Sequence, residues 1–258
     1  MNEIITFGKG YKLTPGIKVF VKSATRFCDK LTIICSNLDK ELIDFLKQNN
    51  VNLVDADEIA LKYNVQTTIS PYTLKVIFFY LYCKHYCEST NVYLCDFTDL
   101  CFQKNLFELI KNKKPYVTSE NYLIANCQTN TTWINLCYNA DSYNLLKKYE
   151  ILNGGSILGE LTSAIALLKE MCADMTQIIS RIGNYQNIDQ ASLNKVVYFD
   201  QARYNILNKL EIANLAHFGN ASTVLKKDKV TINNTEPYVL HQYDVIKPLE
   251  KFLYEQFN

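Results

Sequence analysis

Several things are scarce in this 258-residue chain, and each scarcity removes a class of protein. Charge of one sign is missing: 27 Lys and Arg against 26 Asp and Glu leave a net charge of +1, so no field exists to gather a polyanion, and nucleic acid is not an expected partner. Long apolar runs are missing too. None is long enough to span a bilayer, and the opening "MNEIITFGKG" is too short an apolar run, with an acid at Glu3, to read as a signal peptide. There is one Trp, and with three His in the chain nothing points to a Ser/His/Asp or Cys/His site. No stretch concentrates Pro, Gly or Ser into a linker, and neither repeats nor low-complexity segments interrupt the chain. No Gly-x-Ser-x-Gly elbow or phosphate-binding Walker loop occurs, and the "GKG" of "FGKGYKL" is too short for a dinucleotide fingerprint.

What is present is ordinary for a globular protein: 48% hydrophobic and 21% charged residues, with Tyr enriched at 18. Nine cysteines, an odd number, lie mostly inside apolar runs, where a thiol acts as a small hydrophobe; this reads as a reduced, cytoplasmic protein. Cys83 and Cys87 in "CKHYC" lie one helical turn apart, but no second Cys/His pair at finger spacing follows, and zinc is not expected.

Hydrophobic periodicity alternates over the first hundred residues. "EIITFG", "KLTIICS", "VNLVDAD" and "NVYLCD" read as strands. Between them Ile17, Phe20, Val21, Ala24, Phe27 and Cys28 define one helix face, Leu42, Ile43 and Leu46 another, and "SPYTLKVIFFYLYCKHY" a long helix with Pro71 at its start. The order strand–helix–strand implies an α/β fold with a mostly parallel central sheet flanked by helices. Further on, "PYVTSE" reads as a strand, "TTWINLCYNADSYNLLKKY" as helical, "NGGSILG" as a glycine-rich turn entering a strand, and "ELTSAIALLKEMCADMTQII" as a long helix with Leu161, Ala164, Leu168, Met171 and Met175 inward. The tail "KVTINNTEPYVLHQYD" reads as two short strands joined by a turn, and "IKPLEKFLYEQF" as a helix packed on the domain. One domain over 1–258 is expected, with a nucleotide-binding half over 1–110 and an acceptor and sugar half over 111–258, its C-terminal part smaller and mixed.

Ligands of parallel sheets bind beyond the carboxyl ends of the strands, where Gly8, Asp55 and Asp96 fall. Asp96 and Asp99 follow a buried strand directly. Two such carboxylates suit a hard divalent cation that also holds substrate phosphates, and His241, after the apolar "VL", offers an imidazole that manganese accepts more readily than magnesium. The alternative is a structural one, with Asp99 capping a following helix.

The pieces together resemble a glycosyltransferase-like family with the GT-A fold. "NVYLCDFTDLCFQKNLFE" resembles its strand, acidic motif and following run; "ILNGGSILG" its Asn-Gly-Gly segment; "NIDQASLN" its Asp-Gln-x-x-x-Asn helix; "VLHQYD" its closing segment; and "SENYLIANCQTNTTWINLCY" fits with Glu120 and Trp133 in place. The matches run in order from about Ile4 to Asp244. The resemblance implies transfer of a sugar from a nucleotide-diphosphate donor, UDP-sugar foremost, to a glycan, glycolipid or protein acceptor, with Mn²⁺ or Mg²⁺ as cofactor, retention of configuration favoured over inversion, and a place in polysaccharide biosynthesis. It implies Asp96, Asp99 and His241 at the metal, and Asp189 and Gln190 near the donor sugar or acceptor. It also implies Asn153, Gly154 and Gly155 beside the sugar, Thr6, Phe7, Gly8 and Tyr11 around base and ribose, and Lys75 facing the diphosphate.

Three features depart from the family. Its widespread acidic motif is Asp-x-Asp, whereas here Phe97 and Thr98 separate the acids; the helix before the motif carries a Lys where arginine is frequent; and a second pair, Asp200-Gln201, rivals Asp189-Gln190. Two other readings follow: a non-catalytic sugar-nucleotide-binding or scaffold protein of the same fold, or a sugar-phosphate nucleotidyltransferase, against which stands the absence of Arg from "FGKGYKLTPG". A membrane anchor is not expected, and peripheral association with a membrane is left open.

Overall fold

The computed structural model describes residues 1–183, 187–208, 210–217, 223–226 and 229–257. The first third forms β1 (Asn2–Lys9), α1 (Pro15–Ala24), β2 (Lys30–Ser36), α2 (Lys40–Gln48), β3 (Asn52–Asp55), α3 (Ala56–Tyr63), α4 (Pro71–His85) and β4 (Asn91–Cys95). Then follow β5 (Leu100–Phe102), β6 (Tyr116–Leu123), α5 (Gln128–Cys137), α6 (Ala140–Leu146), β7 (Glu150–Glu160), α7 (Leu161–Ile182) and α8 (Ile188–Phe199). The chain closes with β8 (Asn205–Leu207), β9 (Ile212–Asn214), β10 (Thr223–Lys226), β11 (Lys229–Ile232), β12 (Val239–His241) and α9 (Lys247–Phe257).

Seven strands form the central sheet in the order β3-β2-β1-β4-β7-β6-β8. β1, β2, β3 and β4 run parallel, β7 is antiparallel to both neighbours, and β8 is parallel to β6. The α/β class and mostly parallel sheet are as the alternation predicts. Strand geometry sends successive side chains to opposite faces. Ile5 and Phe7 therefore join the core under α4, α7 and α8, while Ile4 joins the core under α1 and α2. Both layers are needed because a parallel sheet carries apolar side chains on each face.

Local chemistry explains where the elements begin. Thr14 caps α1, accepting from the Ile17 amide at 3.3 Å, with Pro15 at the first helical position. Asp55 accepts from the amides of Asp57 and Glu58 and so starts α3, a helix that periodicity did not predict. This strand-end acid is a cap on an edge strand. The segment expected as one helix after Thr131 is two, α5 and α6, because Tyr138 is extended and Asn139 caps the second by accepting from Ser142 N.

One expectation is corrected. "NGGSILG" is not a turn but the middle of the eleven-residue β7, and Gly154 and Gly155 do not have positive φ. The two tail strands form as expected, each with a different partner. β11 pairs with β10, whereas β12 lies between β5 and β9 in a separate three-stranded sheet. α9 packs on that small sheet through Leu249, Leu253 and Phe257, as expected of the C-terminal segment.

At the amino-terminal end of the central sheet Glu3 is fully buried. Its carboxylate accepts from Thr32 Oγ1 at 2.5 Å, Ser89 Oγ at 2.6 Å, Tyr82 OH at 2.8 Å and Cys87 Sγ at 3.2 Å, with Lys30 Nζ 3.3 Å away. Cys87, with Cys83 close by on α4, thus serves this carboxylate. Burial by itself raises the Glu3 pKa, but the hydrogen bonds together outweigh it and hold the carboxyl below its ordinary value. A folded pKa below the unfolded one stabilises at neutral pH. That contribution is fully present above the unfolded value of about 4.3 and is lost as pH falls through the lowered folded value. Glu3→Leu, which orphans the donors, is expected to cost about 3 kcal/mol in urea unfolding at pH 7, and to cost progressively less as the pH is taken below about 4.

Candidate active site

The site is built where β4 leaves the central sheet for the small one. Asp96 N still donates to Gly155 O at 3.2 Å, extending the β4–β7 ladder by one residue. Phe97 then turns inward, 3% exposed, and meets Phe20 and Tyr11 edge-on at 5.5 and 5.3 Å. Thr98 O lies against the first turn of α1, so close that a Cβ at Gly16 would stand 2.6 Å from it. Asp99 leads straight into β5, a strand, so the reading of Asp99 as a helix cap is overturned.

His241 arrives from the other side. β12 runs antiparallel to β5 with His241 opposite Leu100, and Gln242 N donates to Asp99 O at 2.8 Å. This register sets His241 beside the acids: Nε2 lies 3.5 Å from Asp96 Oδ2 and 3.5 Å from Asp99 Oδ2. The longer Asp-x-x-Asp spacing thus still brings both carboxylates to one imidazole, because the two intervening residues are spent on the Phe97 anchor and the Thr98 turn.

Lys75 projects from α4 and is 6% exposed. Its Nζ lies 2.8 Å from Asp96 Oδ1 and 3.5 Å from Asp189 Oδ2. Burial favours the neutral amine, but Asp96 and Asp189 outweigh it and keep Lys75 protonated well above its usual range. Burial likewise pushes Asp96 upward, and Lys75 and His241 reverse this and hold it well below the carboxylate range. Asp189, more dependent on a single cation, stays raised by burial. For His241 burial again opposes the charge, yet Asp99 and Asp96 lift its pKa to about 10.

Asp96 is seated directly on Gly155. A Cβ at Gly155 would stand 1.8 Å from Asp96 Oδ2, whereas one at Gly154 would stand 3.2 Å from Asp189 Oδ2. The two glycines serve close approach, and backbone freedom plays no part. α8 is tied to the same strand. Gln190 Oε1 accepts from Gly154 N at 3.1 Å while its Nε2 donates to Asn130 Oδ1 at 2.9 Å, and Asn194 brackets Leu152, accepting from its N and donating to its O. Asn153 donates to Glu120 Oε1 at 2.8 Å and accepts from Gly155 N at 2.8 Å.

Two cavities meet at this point. One, of about 470 Å³, is lined by Phe7, Lys9, Tyr11, Phe97, Asp99 and others. The second, of about 290 Å³, is lined by Glu120, Trp133, Asn153, Gly154, Gly155, Asp189 and Gln190 among others. Tyr72, Lys75, Asp96 and Gln242 line both. Of the expected site residues, Thr6, Gly8 and His241 do not line either cavity, and His241 is buried behind the acids. Thr6 is buried within β1, and Gly8 leaves room for the Phe97 ring, which a Cβ there would meet at 3.1 Å. Asp200 and Gln201 are exposed at the far end of α8, roughly 16 Å along the helix from Asp189. The structure therefore brings Asp189-Gln190, and not the second pair, to the cavities. Sequence reasoning missed Tyr72, Asn130 and Gln242; only Gln242 had a signal, its place next to His241.

Donor chemistry at the junction fits a divalent cation. His241 Nε2 and Asp99 Oδ1 are buried atoms of ligand type without a hydrogen-bond partner. Among the described residues no three His, Cys, Asp or Glu side chains already stand at metal-ligand spacing. The 3.5 Å separations here are about half an ångström wider than the roughly 3 Å between adjacent ligands of a small divalent ion.

No sequence family model matches the chain, and no curated protein matches it. Among solved structures it is similar to the crystal structure of mouse xyloside xylosyltransferase 1 in its apo form, with a TM-score of 0.52 at 12% identity, over 83% of this chain and 88% of that one. At that identity the similarity is one of fold, and it bears out the GT-A-like architecture. Gly155→Ala is expected to cost about 1–3 kcal/mol in equilibrium unfolding by driving Asp96 from its seat, and Gly154→Ala distinctly less. Equal costs in urea titrations of the two variants would contradict this account of the strand.

Proposed function

We propose that the protein is a metal-dependent glycosyltransferase that takes a sugar from a nucleotide-diphosphate donor, most simply a UDP-sugar, and delivers it to a glycan, glycolipid or protein acceptor. One observation carries the reading: Asp96 lines both cavities where they meet, and the buried His241 lies 3.5 Å from it and from Asp99, at the place where a diphosphate between a nucleoside and a sugar would lie. The GT-A-like fold and its similarity to a xylosyltransferase support it.

In this reading the larger cavity takes the nucleoside. Phe7 and the half-exposed Tyr11 supply aromatic surface for a base. The smaller cavity takes the sugar and the reacting end of the acceptor, against Trp133 and the β7 backbone at Gly154 and Gly155. Asp96, Asp99 and His241 would hold Mn²⁺ or Mg²⁺, which supplies positive charge against the departing diphosphate. Lys75 keeps Asp96 ionised and aims its carboxylate at the junction. A buried Asp189 engaged with Lys75 is poorly placed to take a proton from an acceptor hydroxyl, which favours retention and makes Asp189 and Gln190 positioning residues. All nine cysteines are free thiols, in keeping with the proposed cytoplasmic location. Among the described residues no helix is long and apolar enough to cross a membrane.

Calorimetric titration of UDP tests this. Binding is expected with Mn²⁺, and expected to fall at least tenfold in EDTA or in Asp99→Ala. Failure to bind either UDP or GDP with metal present would overturn the reading.

A further inference from the structure

Gln242 carries two local costs. Its φ of 55° lies in the left-handed region, which residues other than glycine rarely adopt. Its amide oxygen Oε1 is buried without a hydrogen-bond partner, a second cost. Such costs cluster where a ligand repays them. Gln242 follows His241 directly, its backbone N–H is bonded to Asp99 O, and it lines both cavities beside Asp96 and Lys75.

The neighbouring orphans share one need. Asp99 Oδ1, His241 Nε2 and Gln242 Oε1 are all buried without a hydrogen-bond partner, and all three residues meet where β5 begins and β12 ends. Hydrogen bonds among them do not answer this, since two of the three atoms are acceptors and the third stands 3.5 Å from its nearest carboxylate oxygens. A cation answers all three at once. An amide oxygen is a hard, neutral ligand of the kind Mg²⁺ and Mn²⁺ accept alongside carboxylates.

We propose that Gln242 is a fourth protein ligand of the cation, binding through Oε1 together with Asp96, Asp99 and His241. The left-handed backbone at 242 lets the chain turn the side chain after His241 back to the same ion, where a continuing strand would send it to the opposite face. A neutral fourth ligand adds a bond without adding charge. That keeps the cation's pull on a diphosphate stronger than a third carboxylate would. This inference rests on the cation reading above.

The test is Mn²⁺ titration of the whole protein followed by electron paramagnetic resonance, with and without UDP. Wild type is compared with Gln242→Met, which keeps length and loses the oxygen, with Gln242→Glu, which restores an oxygen, and with His241→Ala. Gln242→Met is expected to weaken Mn²⁺ roughly tenfold, with Gln242→Glu binding at least as tightly as wild type. In EDTA the thermal midpoint of Gln242→Met is expected to equal or exceed that of wild type, because the buried orphan acceptor is gone. Wild-type Mn²⁺ affinity in Gln242→Met, or equal losses in the Met and Glu variants, would overturn the role of Gln242 alone. No Mn²⁺ binding by wild type, or binding unchanged in His241→Ala, would overturn the cation site itself and the proposed ligand with it.

Discussion

The seat of Asp96 on Gly155 is the constraint on which the rest depends. A carboxylate can approach a strand so closely only where the strand has no side chain, and β7 provides that gap in the row next to β4. With Asp96 fixed there, Lys75 must reach from α4 to balance it, Asp189 must stand on the far side of Lys75, and α8 must be stitched to β7 by Gln190 and Asn194. Lys75, Asp189 and Asn194 are buried, and each is held by a charge or an amide rather than by apolar packing. Buried charges are tolerated only in such company, since an isolated one would be neutralised by a shifted pKa.

Polar groups near the two ends of the central sheet contrast in how their hydrogen-bonding needs are met. Glu3, at the amino-terminal end, accepts four hydrogen bonds and has a lysine beside it. Its requirements are met within the fold. At the carboxyl-terminal end Asp99 Oδ1, His241 Nε2 and Gln242 Oε1 are buried and unmet. Native interiors leave few polar atoms unsatisfied, so three within a few residues of one strand junction mark a place where something outside the chain completes the structure.

Much of the fold was legible because parallel α/β architecture writes itself as alternating periods of two and 3.6 residues. The four strands through β4 and the helices α1, α2 and α4, the helix start at Pro71 and the inward face of α7 all follow from that pattern. Short elements were less legible. α3 depends on a single capping acid, and the break between α5 and α6 depends on one extended tyrosine; neither shifts the hydrophobic period enough to be read. The glycine pair was misread because a double glycine within a strand looks the same in sequence as one at a turn, and only the carboxylate above it tells them apart.

By itself, then, the chain determined the fold class and the identity of the residues able to do chemistry, because local hydrogen bonding and hydrophobic periodicity act over neighbouring residues. Which of those residues meet was decided by tertiary structure alone. Asp55 became a helix cap and Asp96 a site residue, though both end strands of one sheet, because β3 lies at the edge and β4 at the centre. His241 reached Asp99 across 142 positions of sequence only because β12 pairs with β5 rather than with its neighbour β11. Strand pairing at such separation is set by burial of the small sheet against α9 and by backbone hydrogen bonds, neither of which leaves a mark within any short stretch of residues.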